Sequence, residues 1–147
     1  MQNDRQPHRP VKYLLDTEVW LWLQAHPERI GRHTMNILTD ERNDLLQSAA
    51  SAWEIARKFR RGKLHLYDSP DRYVPDRLLT SGVKGLPLEL SHALRVVRVD
   101  DLHRDPVDRL LVAQATIEQV PLITADGRFA GTDIEHIEHI EQIDATV

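Results

Sequence analysis

The chain has 147 residues, of which 29% are charged and 41% hydrophobic; its formal net charge is -4, and it contains no cysteine. This suits one soluble domain with its own core and excludes a disulfide framework, a thiolate metal site and a cysteine nucleophile. The acidic balance argues against a dedicated nucleic-acid binder, which is usually strongly basic, but not against an enzyme whose acids gather at one site. The polar first ten residues, MQNDRQPHRP, lack a signal-peptide core, and no apolar run approaches the ~20 residues that span a bilayer. A cytoplasmic protein with no membrane association is expected.

Taken in chain order, VKYLLD (11–16) predicts a short buried strand ending in an acid. TEVWLWLQ (17–24) predicts a helix with Thr17 as N-cap, and Pro27 fits the first turn of another helix reaching about Thr39. DLLQSAAS (44–51) predicts a weaker strand. Ser51 and Glu54 form a capping-box pattern opening AWEIARKFRRG, with Gly62 placed to end that helix. Ser69-Pro70 opens a helix to about Thr80, GLPLELS (85–91) suggests a strand and turn, and Asp105-Pro106 opens a helix ending near Gln119. PLIT (121–124) is a last short strand, followed by Asp126-Gly127. Strands separated by helices imply an α/β domain with a mostly parallel central sheet flanked by helices. The polar extension 1–10 precedes this unit. The spacing of isoleucine in IEHIEHIEQI (134–143) suits neither helix nor strand, so the structure of the tail 130–147 stays open.

In an open parallel sheet, ligands bind beyond the carboxyl ends of the strands. Asp16 ends the first strand, Asp126 follows the last, and Asp108 and Glu54 each fall in a first helical turn. Four carboxylates brought together would repel and raise one another's pKa. A hard divalent cation relieves that repulsion, since Mg²⁺ and Mn²⁺ prefer oxygen ligands, and it can activate water against a phosphodiester. Each acid also has a structural explanation. Asp105 before Pro106 is the preferred N-cap. Asp108 can favour the helix dipole, Glu54 can serve the capping box, and Asp126-Gly127 is an ordinary turn pair. Asp16, directly after an apolar run, is the hardest to explain away.

The strings LLDTEVWLWL, SAWEIARKFRRGKL, HRDPVDRLLVAQA and PLITAD resemble, in order and spacing from about Tyr13 to Phe129, the PIN-domain ribonucleases of toxin–antitoxin modules, the VapC-like toxins. The resemblance implies a PIN-like α/β domain, Mg²⁺ or Mn²⁺ as cofactor, and endonucleolytic cleavage of RNA. It also implies a homodimer and neutralisation by a cognate antitoxin. Carried over by position, the acidic cluster falls on Asp16, Glu54, Asp108 and Asp126, with Thr124 as a polar neighbour of the last. Val107 stands where the family commonly has Phe. Glu18 stands where it often has His, adding a carboxylate beside Asp16.

The basic run RKFRRGK carries Arg57, Lys58, Arg60, Arg61 and Lys63. It fits either a solvated helix face or a patch contacting RNA phosphates. Trp20 and Trp22, two apart on a helix, cannot share one face, so at least one is expected to be exposed or covered by a partner. His136 and His139 could pair on a metal but fit exposed histidines better, and His103 fits a loop. Two rivals remain: a metal-dependent phosphatase, from the faint D-x-D echo at Asp16-Thr17-Glu18, and a non-catalytic interaction protein whose acids only cap helices.

Overall fold

The computed structural model describes residues 11–100, 104–126 and 140–142. Five strands, β1 (Lys12–Leu15), β2 (Asp44–Ser48), β3 (Lys84–Leu86), β4 (Leu122–Thr124) and β5 (Ile140–Gln142), form one sheet in the order β3-β2-β1-β4-β5. All four pairings are parallel. Among the described residues the helices are α1 (Thr17–Ala25), α2 (Arg32–Thr39), α3 (Ala49–Arg60), α4 (Pro70–Ser81), α5 (Leu90–Arg95) and α6 (Pro106–Glu118).

Strand alternation explains why the sheet is covered on both sides. Successive side chains point to opposite faces. Leu15 and Ile123 therefore join one core with Trp20, Ile55 and Val74 from α1, α3 and α4. Their neighbours Leu14 and Leu122 join a second core with Leu111, Val112 and Ala115 of α6. A strand buried on both faces needs an unbroken apolar run, as in YLL and LIT.

The chain first builds outward from β1 through β2 to β3, then crosses back to place β4 and β5 on the other side. The reversal lies between β1 and β4, the topological switch point where open α/β sheets leave a crevice at their carboxyl edge. Backbone bonds from Leu14 N to Pro121 O and from Asp16 N to Ile123 O, both 2.9 Å, fasten the two strands there.

Several expected boundaries are corrected. The N-cap of α1 is Asp16, whose side chain accepts from Thr17 N, rather than Thr17. Pro27 opens only a 3-10 turn, Pro27–Arg29, and α2 starts separately at Arg32. β2 stops at Ser48, which caps α3 by accepting from Ala50 N at 2.9 Å, so Ser51 lies inside the helix and the Ser51–Glu54 capping box does not form. The segment read as strand and turn over 85–91 divides into β3 and the start of α5. Gly62, at φ 72°, follows α3 in the left-handed conformation expected of it. In the tail, β5 lies within 134–143; the rest of that repeat, with His136 and His139, falls outside the described residues, as do His103 and the N-terminal extension.

Candidate active site

Each acid reaches the switch point for a local reason. Asp16 is the residue after β1, and Asp126 lies two residues after β4. Asp108 is the third residue of α6, whose start is set by Asp105: its Oδ1 accepts from Val107 N (2.9 Å) and Asp108 N (3.2 Å). The expected division of labour in HRDPVD is thus half visible, with Asp105 filling the cap. Asp108, although 8% exposed, is not needed as the cap. Glu54 loses its capping-box explanation. With α3 starting at Ala49 it stands in the second turn, where it cannot reach back to an N-cap.

Asp16, Glu54, Asp108 and Asp126 line one cavity of about 430 Å³, together with Glu18 and Asp105. Among the described residues no three acidic or histidine side chains are drawn together as a ready-made metal cage. The donor set is all oxygen, which suits a hard ion bound through a few carboxylates and its own waters.

Asp16 is the most constrained member. Its Oδ1 accepts from Thr17 N at 2.8 Å and its Oδ2 from the Thr124 hydroxyl at 2.7 Å. Thr124 Oγ1 in turn accepts from Asp126 N at 3.0 Å, so one threonine joins the acids that follow β1 and β4. Burial raises the Asp16 pKa to about 6; the Thr124 and Thr17 hydrogen bonds oppose this, and the charges of Glu54 and Asp126 add to it. On the other side, the Thr17 hydroxyl donates to Ser51 Oγ at 2.9 Å, both groups buried, which ties the start of α1 to α3 one turn before Glu54. Glu54 keeps 15% side-chain exposure and has Lys58 Nζ at 3.8 Å.

The basic run divides. Lys58 and Lys63 line the cavity, whereas Arg57, Arg60 and Arg61 do not; Arg57 lies over the exposed ring of Trp53 at 5.2 Å from its centre. Trp20 is fully buried, and Trp22 is half-buried on the cavity wall. Neither the Thr17–Ser51 bond nor the presence of Arg29 and His65 in the lining of the same cavity is legible in the sequence. These depend on which helices lie side by side, and no spacing pattern carries that.

A stretch of 60 residues is 48% identical to Ribonuclease VapC16 of Mycobacterium tuberculosis, spanning 41% of this chain and 41% of that relative. The fold is similar to that of the VapBC2 complex of Rickettsia felis bound to a promoter DNA fragment (TM-score 0.59, 13% identity, 81% of this chain and 91% of that one). It is also similar to VapBC-1 of nontypeable Haemophilus influenzae (TM-score 0.54, 17% identity, 79% and 87%). A toxin–antitoxin complex of Klebsiella pneumoniae aligns at TM-score 0.52 and 18% identity, covering 82% and 92%. The PIN domain family matches residues 13–135, most of the chain, with the four acids inside the match, and the protein belongs to that family.

Proposed function

We propose that this protein is a metal-dependent endoribonuclease, the toxin of a two-component module. The observation that carries the proposal is the placement of Asp16, Glu54, Asp108 and Asp126 around one cavity at the switch point of the sheet. The relative named a ribonuclease supports RNA as substrate, and the toxin–antitoxin complexes support an antitoxin partner. A homodimer is proposed from the family resemblance.

Asp16, Glu54, Asp108 and Asp126 would hold Mg²⁺ or Mn²⁺, which when bound supplies an activated water and charge stabilisation on a phosphoryl oxygen. The rest falls to the chain itself. Thr17 N–H and the Thr124 hydroxyl fix both oxygens of Asp16, so its carboxylate is oriented before any ligand arrives. Lys58 beside Glu54 offsets negative charge where an RNA phosphate must approach an acidic wall. Glu18, the exposed side chain in the otherwise buried first turn of α1, adds a carboxylate at the rim.

The test is cleavage of total RNA with Mn²⁺, Mg²⁺, Ca²⁺ or EDTA. Cleavage is expected with the first two, poorly with Ca²⁺, and not in EDTA. Full cleavage in EDTA overturns the metal-dependent reading. A covalent phosphoaspartate formed from a phosphomonoester, with RNA left intact, would transfer the site to phosphatase chemistry.

A further inference from the structure

Helix α6 carries an amide inside its apolar run. Gln114 stands in LLVAQA, and its side chain is fully buried. Burying an amide costs free energy unless its hydrogen bonds are met, so its partners show what it is kept for. Its Nε2 donates to Pro87 O at 3.2 Å. A carbonyl only accepts, so the amide oxygen must face the other way. That oxygen accepts from the Ser48 hydroxyl, also fully buried, whose own oxygen accepts from Ala50 N at 2.9 Å as the cap of α3. One amide fastens α6 both to the start of α3 and to the segment that follows β3.

We propose that Gln114 is a positioning residue: acting through Ser48, it sets the separation of Glu54 and Asp108. This rests on the metal-dependent reading of the acids. Neither Gln114 nor Ser48 lines the acidic cavity. Yet Glu54 lies six residues after Ser48 on α3, and Asp108 lies six before Gln114 on α6. Each acid therefore stands about 9 Å along its helix from the bond that joins the two helices, at about 1.5 Å per residue. Over such an arm a tilt of roughly 6° moves a carboxylate by about 1 Å. A misplacement of that size can cost on the order of 100-fold in rate. The hydroxyl bonds Thr17–Ser51 and Thr124–Asp16 tie α1 to α3 and β4 to the end of β1, and the Gln114 amide adds α6 to that frame.

The experiment titrates Mn²⁺ into the protein by calorimetry, without RNA, and records thermal melts of the same variants. Gln114→Met keeps the side-chain volume and removes both amide bonds. It should weaken Mn²⁺ binding roughly 10- to 100-fold, the range for loss of a group that orients metal ligands. Thr116→Val is the control for stability alone. The Thr116 hydroxyl donates to Val112 O at 2.8 Å within α6, so its loss should lower the melting temperature and leave Mn²⁺ affinity unchanged. Ser48→Ala breaks the same link from the side of α3. The double variant should bind Mn²⁺ no more weakly than the poorer of the two single variants, because residues acting through one bond are not additive. If Gln114→Met does not fold, Ser48→Ala against the Thr116→Val control carries the test. A Gln114→Met protein that melts lower yet binds Mn²⁺ like wild type overturns the positioning role and leaves the metal-dependent reading standing. Multiplied losses in the double variant overturn it as well, since the two residues would then act separately. A wild type that binds no Mn²⁺ overturns the metal-dependent reading and the positioning role with it.

Discussion

The Thr124 hydroxyl donates to Asp16 Oδ2 at 2.7 Å, joining residues 108 positions apart at the ends of the paired strands β1 and β4. Removing one partner of such a bond leaves a buried carboxylate with an unmet acceptor. Thr124→Val should therefore lower stability by about 1–3 kcal/mol and reduce RNA cleavage, because Asp16 loses its orientation. Thr124→Ser, which keeps the hydroxyl, should restore most of both. Equal loss in the serine and valine variants, by thermal melts and single-turnover cleavage, would show that the methyl group's packing matters and the hydrogen bond does not.

Asp16 also predicts a pH dependence. Its folded pKa is raised to about 6 from 3.8, so between those values the folded state holds a proton that the unfolded state has released. The associated stability is fully present below about pH 3.8 and lost as pH rises through about 6. At about 1.4 kcal/mol per unit this amounts to about 3 kcal/mol at most. Metal-free wild type should therefore lose stability relative to Asp16→Asn across that window. Parallel pH–stability curves for the two proteins in EDTA would refute the shift.

The two acids of the DPVD sequence should separate cleanly. Asp105→Ala removes the cap on Val107 and Asp108 and should weaken the fold by about 0.5–2 kcal/mol, while the gain in melting temperature on adding Mg²⁺ or Mn²⁺ persists. Asp108→Asn should abolish cleavage and lose most of that gain, with an equal or higher metal-free melting temperature, because like charges no longer crowd the cavity. A destabilised, still metal-responsive Asp108→Asn would mean that Asp108 serves only the helix.

Arg60 and Arg61 end α3 as exposed side chains outside the cavity lining. Their joint replacement by Ala should change stability by only about 0.5 kcal/mol while weakening RNA binding and its salt dependence. Unaltered affinity and salt slope, measured over a salt titration, would return the pair to the role of a solvated helix end.

Sequence alone determined what depends on near neighbours. The apolar YLL and LIT runs define strands buried on both faces, Asp105-Pro106 defines the start of α6, and Gly62 ends α3, because local backbone chemistry decides each. It failed where a distant pairing outranked a local pattern. SAWE satisfies a capping box by itself, yet β2 stays paired with β1 through Gln47, and α3 opens at Ser48, whose hydroxyl also donates to Gln114 of α6. α5 escaped notice because six residues give too short a period, and its Leu90 and Leu94 are exposed instead of marking a core. The acids were legible one by one, but only the strand order decided their company. Placing β4 beside β1 brings Thr124 to Asp16, since a hydrogen bond needs its partners within about 3 Å and only tertiary structure closes 108 residues to that distance.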